Sequence, residues 1–235
     1  LRLWPTHDSF RIITDEPSKR YTLSIIDARL KVTEVRMAPE VITAQALQME
    51  KHDKKALYPY TLSQFRVFNI SKNSHSFSET DIFQGEIPTK VFLWMVPSSA
   101  FNGQYTQNPL HFQHFDVSSV NLSVDNVAQP SGRPLQTNFE DNLYTEAYLQ
   151  LYKALNMQGE STSCDITMED FKSGYTIFGY NLAALHGNDH LPLPKAGSLK
   201  LDVTFAKPTD QSITLVCYAK FPRQISIDHA RNVYV

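Results

Sequence analysis

The sequence predicts an all-β protein, and three observations carry that prediction: short stretches of apolar/polar alternation, a high aromatic content, and proline-rich corners between them. Fourteen Phe and eleven Tyr are spread along the alternating stretches, which favours pleated sheets over helices. Thirteen Pro against eight Gly point to rigid corners rather than flexible linkers. At 235 residues, 42% hydrophobic and 20% charged, the chain has the length and composition to bury one large β core.

Residues 1–20 read as a lead-in and residues 21–235 as the folded domain. Position 1 is Leu, and Leu1-Arg2-Leu3-Trp4-Pro5 matches no processing signal, so the lead-in is expected to continue from an upstream region. Tyr21 to Met37 reads as the first strand, with Leu23 and Ile25, then Leu30, Val32 and Val35, alternating against polar neighbours. Pro39 ends it and suits the first turn of a helix over Glu40–Lys51. Ser63 to Ser78 reads as a strand or hairpin about a polar turn at Ser71-Lys72-Asn73-Ser74.

Lys90 to Val96 is nearly all apolar and suits a strand buried on both faces, with Trp94 in the core. Asp116 to Asp125 alternates through Val117, Val120, Leu122 and Val124 into an Asp-Asn turn. Asn138 to Asn156 has helical spacing, with Leu143, Ala147, Leu151 and Ala154 on one side and Tyr144, Tyr148 and Tyr152 beside them. A tyrosine stripe of this kind is expected to pack on a sheet. Thr167-Met168-Glu169-Asp170 carries a capping signal for a short turn. Gly174–Leu182, Ser198–Phe205 and Ser212–Phe221, with Ile225 and Ile227 beyond, complete the strands. Evenly spaced strands with turn chemistry between them describe a jelly-roll sandwich of about eight to ten antiparallel strands with one inserted helix.

Several chemistries lack their signatures. A net charge of -2 gives no basic face, and Lys51-His52-Asp53-Lys54-Lys55 reads as a solvated turn, so no specific nucleic acid is expected. No stretch of eighteen apolar residues suggests a membrane span, and no secretory signal is expected. Cys164 and Cys217 match no metal spacing; Cys217 lies in an apolar strand and reads as a small buried hydrophobe, as in a reducing compartment. Asn69-Ile70-Ser71 and Asn121-Leu122-Ser123 fit the glycosylation pattern but fall in strands and read as chance matches.

His111 with His114, and His186 with His190, are the histidine pairs to weigh as metal ligands. Neither has the i, i+2 spacing that shares one face of a strand, and Pro109 and Gly187-Asn188 disfavour the helix that would bring wider pairs together. No nucleophile elbow, activated cysteine or phosphate-binding glycine loop occurs. The expected catalytic, cofactor and metal residues are therefore none, with a cupin-type metalloenzyme the remaining enzymatic rival.

Asp81 to Asp125 contains Asp-Ile-Phe-Gln-Gly-Glu-Ile-Pro-Thr-Lys-Val, Ala-Phe-Asn-Gly-Gln-Tyr-Thr-Gln-Asn-Pro and His-Phe-Gln-His-Phe-Asp-Val. Together with Pro134–Phe139, Ile166–Phe171, Gly197-Ser198-Leu199 and Ile227–Val233, it resembles the capsid protein family of Polinton/Maverick elements and adintovirus-like double-stranded DNA viruses. The likeness runs over about residues 25–235 and is to the C-terminal half of those longer proteins. It implies a jelly-roll capsid subunit: one half of a double jelly-roll major capsid protein, or a shorter minor relative. Implied partners are copies of itself and other capsid proteins, with a trimer favoured for a major role. The implied location is the virion capsid, after synthesis in the host cell.

On that reading, Tyr58, Tyr60, Phe101, Asn102, Tyr105, His111 and His114 are candidate residues of subunit-contact loops. The alternative is a jelly-roll binding module for carbohydrate or a cell-surface receptor, for which the loop tyrosines Tyr58, Tyr60 and Tyr105 would stack on a sugar ring.

Overall fold

Strand order defines the architecture seen in a computed structural model, which describes residues 4–51, 54–157, 163–183 and 194–234. A one-turn helix α1 (Asp8–Arg11) and a longer α2 (Pro39–Lys51) precede the first strand. The strands and helices that follow are β1 (Ala56–Ile70), β2 (Ser76–Glu79), β3 (Glu86–Ile87), β4 (Lys90–Pro97), α3 (Ser98–Phe101), β5 (Val117–Val124), β6 (Val127–Gln129) and β7 (Leu135–Gln136). Next come α4 (Thr145–Leu155), α5 (Met168–Ser173), β8 (Phe178–Asn181), β9 (Lys195–Ala196), β10 (Leu199–Phe205), β11 (Ile213–Ile227) and β12 (Val233–Tyr234).

One sheet has the order β1-β11-β4-β8 with β12 beside β11, and the other β2-β10-β5-β6 with β7 also beside β5. Every pairing between named strands is antiparallel. Because β6 and β7 lie against successive parts of β5, they act as one interrupted strand. Two such sheets, in which β11 and β10 from the chain's end are inserted beside the earlier β4 and β5, are the Greek-key wrapping of a jelly roll, and β3 and β9 form a separate two-stranded pair.

The alternation read from the sequence sets the core. Val91, Leu93 and Met95 of β4 and Leu215, Cys217, Ala219 and Phe221 of β11 point inward from the first sheet, and all are buried. Val120 and Leu122 of β5 and Leu201, Val203 and Phe205 of β10 answer from the second. Each large apolar side chain so removed from water contributes roughly 1.5–3 kcal/mol against chain entropy. Burial pushes the Cys217 thiol up to about 12, so it serves as an inert core group.

Local chemistry places the turns. Asp125 and Asn126 both take positive φ, 50° and 68°, giving the two-residue connection that matches strand twist between β5 and β6. Thr167 caps α5 reciprocally: its hydroxyl accepts from the Asp170 amide while the Asp170 carboxylate accepts from the Thr167 amide. The helix over 138–156 is shorter than its spacing predicts. Asn138 turns the chain by accepting from the Asp141 amide at 3.0 Å, which keeps residues before Thr145 out of the helix and leaves Leu143 exposed.

Two expectations need correction. Residues 21–37 form no strand; Leu23, Ile25, Leu30, Val32 and Val35 are all exposed. Alternation marks a face, but a strand also needs a neighbour, and none of the described residues pairs with this segment. Ser63–Ser78 is not a hairpin either, since β1 and β2 belong to different sheets. Its turn is a corner held from across the fold by Thr209, whose carbonyl and hydroxyl accept from the amides of Asn73 and Ser74 at 2.8 and 3.0 Å.

Candidate functional site

The loop residues singled out from the sequence fall at opposite ends of the first sheet. Tyr58 and Tyr60 lie within β1 itself, opposite Ile225 and Arg223 of β11. Phe101, Asn102, Tyr105, His111 and His114 follow β4, whose last residue pairs with Ile213 at the far end of β11. At about 3.3 Å per residue, twelve positions of β11 put the two groups roughly 40 Å apart. They cannot form one contact patch.

At the first end, Tyr58 is exposed and Tyr60 half-buried. Beside them Arg223 grips Glu86 of β3 through both terminal nitrogens. Hydrogen bonding to Arg223, its charge second to that contact, holds the Glu86 carboxyl below its ordinary value. This pair ties β3 to β11.

At the other end, Asn102 is exposed and closes α3, while Phe101 and Tyr105 are half-buried. The Tyr105 carbonyl accepts from the Thr14 amide at 2.7 Å, anchoring the lead-in to this loop. His111 and His114 border an open cleft of about 420 Å³ together with Gln113, Asp116, Lys172 and Lys207. The His114 ring stacks on Phe139 at 4.2 Å, Phe139 on Tyr144 at 5.1 Å and Tyr144 on Phe171 at 6.0 Å. Burial lowers the His114 pKa, against the opposing pull of the Asp116 carboxylate. Its Nδ1 accepts from the Asp116 amide at 3.0 Å, which leaves the ring proton on Nε2. Such an imidazole is a packed wall of the cleft, which Asp116, Asp210 and Ser173 also line.

No group of three or more His, Cys, Asp or Glu side chains is placed to hold a metal among the described residues. His186 and His190, and Leu191 to Leu193 of the proline-rich loop, lie outside the described residues. No helix among the described residues is long and apolar enough to cross a membrane.

A surface that sequence reading missed lies on the outer face of the first sheet. In register, Phe65 of β1 stands opposite Tyr218 of β11, which stands opposite Phe92 of β4; Val67, Val216 and Trp94 form the next row. The rings join into a band: Phe65 to Tyr218 at 4.8 Å, Tyr218 to Phe92 at 6.1 Å, Phe65 to Trp94 at 6.4 Å and Trp94 to Phe112 at 5.5 Å. Trp94 is thus half-buried in an outer face, not in the core between the sheets. Phe65 and Val67, on the edge strand β1, remain 55% and 49% exposed, while Phe92 and Val216 in the same rows are already buried within the chain. The outer face of an antiparallel sheet is ordinarily polar, and a continuous apolar one marks an interaction surface. Each strand alone shows only alternation; the band exists through pairings that no local signal records.

Fold and surface together define a jelly-roll protein with a band of aromatic side chains on the outer face of its first sheet, exposed at the β1 edge. No family model matches the chain. An uncharacterized protein of Caenorhabditis elegans is 28% identical over 240 residues, a match that takes in 100% of this chain and 57% of that protein. The chain therefore spans little more than half the length of this relative. Among solved structures, the mavirus major capsid protein aligns with 77% of this chain and 41% of its own at 8% identity and a TM-score of 0.39. A structure of the Sputnik virophage aligns over 77% and 38% at 13% identity and a TM-score of 0.43. PBCV-1 VP54, fitted into a reconstruction of Sputnik, aligns over 77% and 52% at 11% identity and a TM-score of 0.40.

Proposed function

We propose that this chain is a structural building block of a protein shell, the capsid of a double-stranded DNA virus or virus-like element, and that it works by associating with copies of itself. The aromatic band of Phe65, Trp94 and Tyr218 on the outer face of the first sheet carries the reading. A shell subunit needs a rigid sandwich and apolar faces that mate with neighbours; it needs no reaction centre. The jelly-roll strand order and the resemblance of Asp81–Asp125 to the Polinton/Maverick and adintovirus capsid family support the same reading.

On this proposal the partners are further copies and other shell proteins, the location is the virion, and the unit for a major shell role is a trimer. A stable contact between copies buries about 1,000 Å² or more. Sedimentation velocity over a rising concentration series tests this. Concentration-dependent association into a defined oligomer is expected. A species that stays monomeric at the highest concentration contradicts self-association.

A further inference from the structure

The segment ahead of α2 and the open edge of β1 complement each other. Ile26, Ala28, Leu30 and Val32 share one side of an extended chain, with Asp27, Arg29 and Lys31 on the other. This is the two-residue period of a half-buried strand, yet Ile26 is 97% exposed and Leu30 and Val32 are each 71% exposed. The segment belongs to an excursion rooted at both ends on the sandwich, at the Thr14–Tyr105 contact and at Ala56 opposite Ile227. Despite both anchors, it makes no strand pairing with its own β1.

β1 pairs with β11 along all fifteen residues and lies at the end of its sheet, so its other edge is free among the described residues. A long edge with unpaired amides and carbonyls is a template for another strand. The two sides of β1 suit the donor. Phe65 and Val67 face outward and would continue into Ile26, Leu30 and Val32. Gln64 and Arg66 face the opposite way and are partly exposed; Arg66 is held there by the Ile82 carbonyl at 3.2 Å, and Gln64 would meet the charged side that carries Asp27.

We infer that residues 21–37 are a strand donor that adds to the free edge of β1 in a second copy of this chain, extending the aromatic band across the boundary. The inference rests on the self-association proposed above and adds to the face contact a second one, at the β1 edge of the same sheet. Exchange between copies leaves each chain carrying one donor and one acceptor, so contacts propagate or close into a ring according to their geometry.

Hydrogen exchange by mass spectrometry on the full chain, above and below its association concentration, tests the arm. Cross-linking of mixed heavy- and light-isotope chains then identifies whose β1 it meets. Amides of residues 21–37 and of β1 should slow by about tenfold or more only in the associated state. Links from Lys31 to the β1 region should join heavy to light chains. Val32→Pro, at an exposed position outside the sandwich, should abolish both protections, while Val32→Thr should keep them.

An oligomer that forms with the arm unprotected overturns the donor role and leaves self-association standing. Protection in a monomer, or links within single chains only, shows the arm folded back on its own β1 and overturns exchange. A chain that never associates removes both readings together.

Discussion

The phenol of Tyr180, buried on β8 of the first sheet, points across the core at the carbonyl of Val120 on β5 of the second, 3.4 Å away. One side chain thereby spans the sandwich, and its ring fills the space between the layers. Burial raises its pKa far above the usual phenol range, so the hydroxyl stays protonated and available as a donor.

At 3.4 Å that hydrogen bond is long, so the ring should matter more than the hydroxyl. Tyr180→Phe should cost under about 1 kcal/mol, since a net hydrogen bond contributes little and this one is stretched. Tyr180→Ala should cost about 3–5 kcal/mol through the cavity it leaves. Urea denaturation of the two variants separates these contributions; equal losses would mean that the hydroxyl, not packing, joins the sheets.

Gly179 is the neighbouring position, and it faces the other way, onto α4. A Cβ there would stand 2.8 Å from the Ala154 Cβ and 3.1 Å from the Leu151 Cα. Gly179→Ala should therefore push the helix off β8 and destabilise by about 1–3 kcal/mol. Combining it with Ala154→Gly should recover part of that loss, and a double-mutant cycle reads the coupling. Additive losses would show that the helix has room to move.

How much of this was legible in the sequence follows from the range of each signal. Strands β4, β5, β10 and β11 declare themselves because a buried inner face enforces alternation residue by residue. The spacing of α4 marks a packed helix, but Tyr144 and Tyr148 pack on Phe171 of α5 rather than on a sheet, while Leu151 and Ala154 meet β8 at Gly179. The Thr167 capping box is likewise a local signal. The polar turn at Ser71–Ser74 is legible, but that it is a corner between sheets rather than a hairpin is not, because Thr209, which fixes it, lies far along the chain. Residues 21–37 carry a strand pattern without a neighbour, and a pattern cannot report whether its partner is present. Tyr58 and His114 look alike as loop residues, yet the register of β11 sets them at opposite ends of a sheet. The aromatic band was invisible for the same reason: Phe65, Trp94 and Tyr218 meet only through β1-β11-β4 pairing.

His114 gives the fold a pH dependence of known sign. Burial lowers its folded pKa below the ordinary 6.5, so the unfolded chain takes up the proton more readily than the folded one. Its contribution is fully present above about pH 6.5 and is lost as pH falls through that value toward the lowered folded pKa. His114→Gln should flatten the stability slope between about pH 7 and 5, the range where an ordinary imidazole titrates. Thermal unfolding across that range checks it; an unchanged slope would assign the dependence to other groups.

The role of the aromatic band is open to direct observation through Trp94. Trp4, the other tryptophan, is 83% exposed in the lead-in, so Trp4→Phe leaves Trp94 as the sole indole reporter. Acrylamide quenching of that variant should fall sharply as concentration drives association, because a second copy shields the outer face of β4. Association at full strength with Trp94 as accessible as in the monomer would contradict the assignment of this face as the contact between copies.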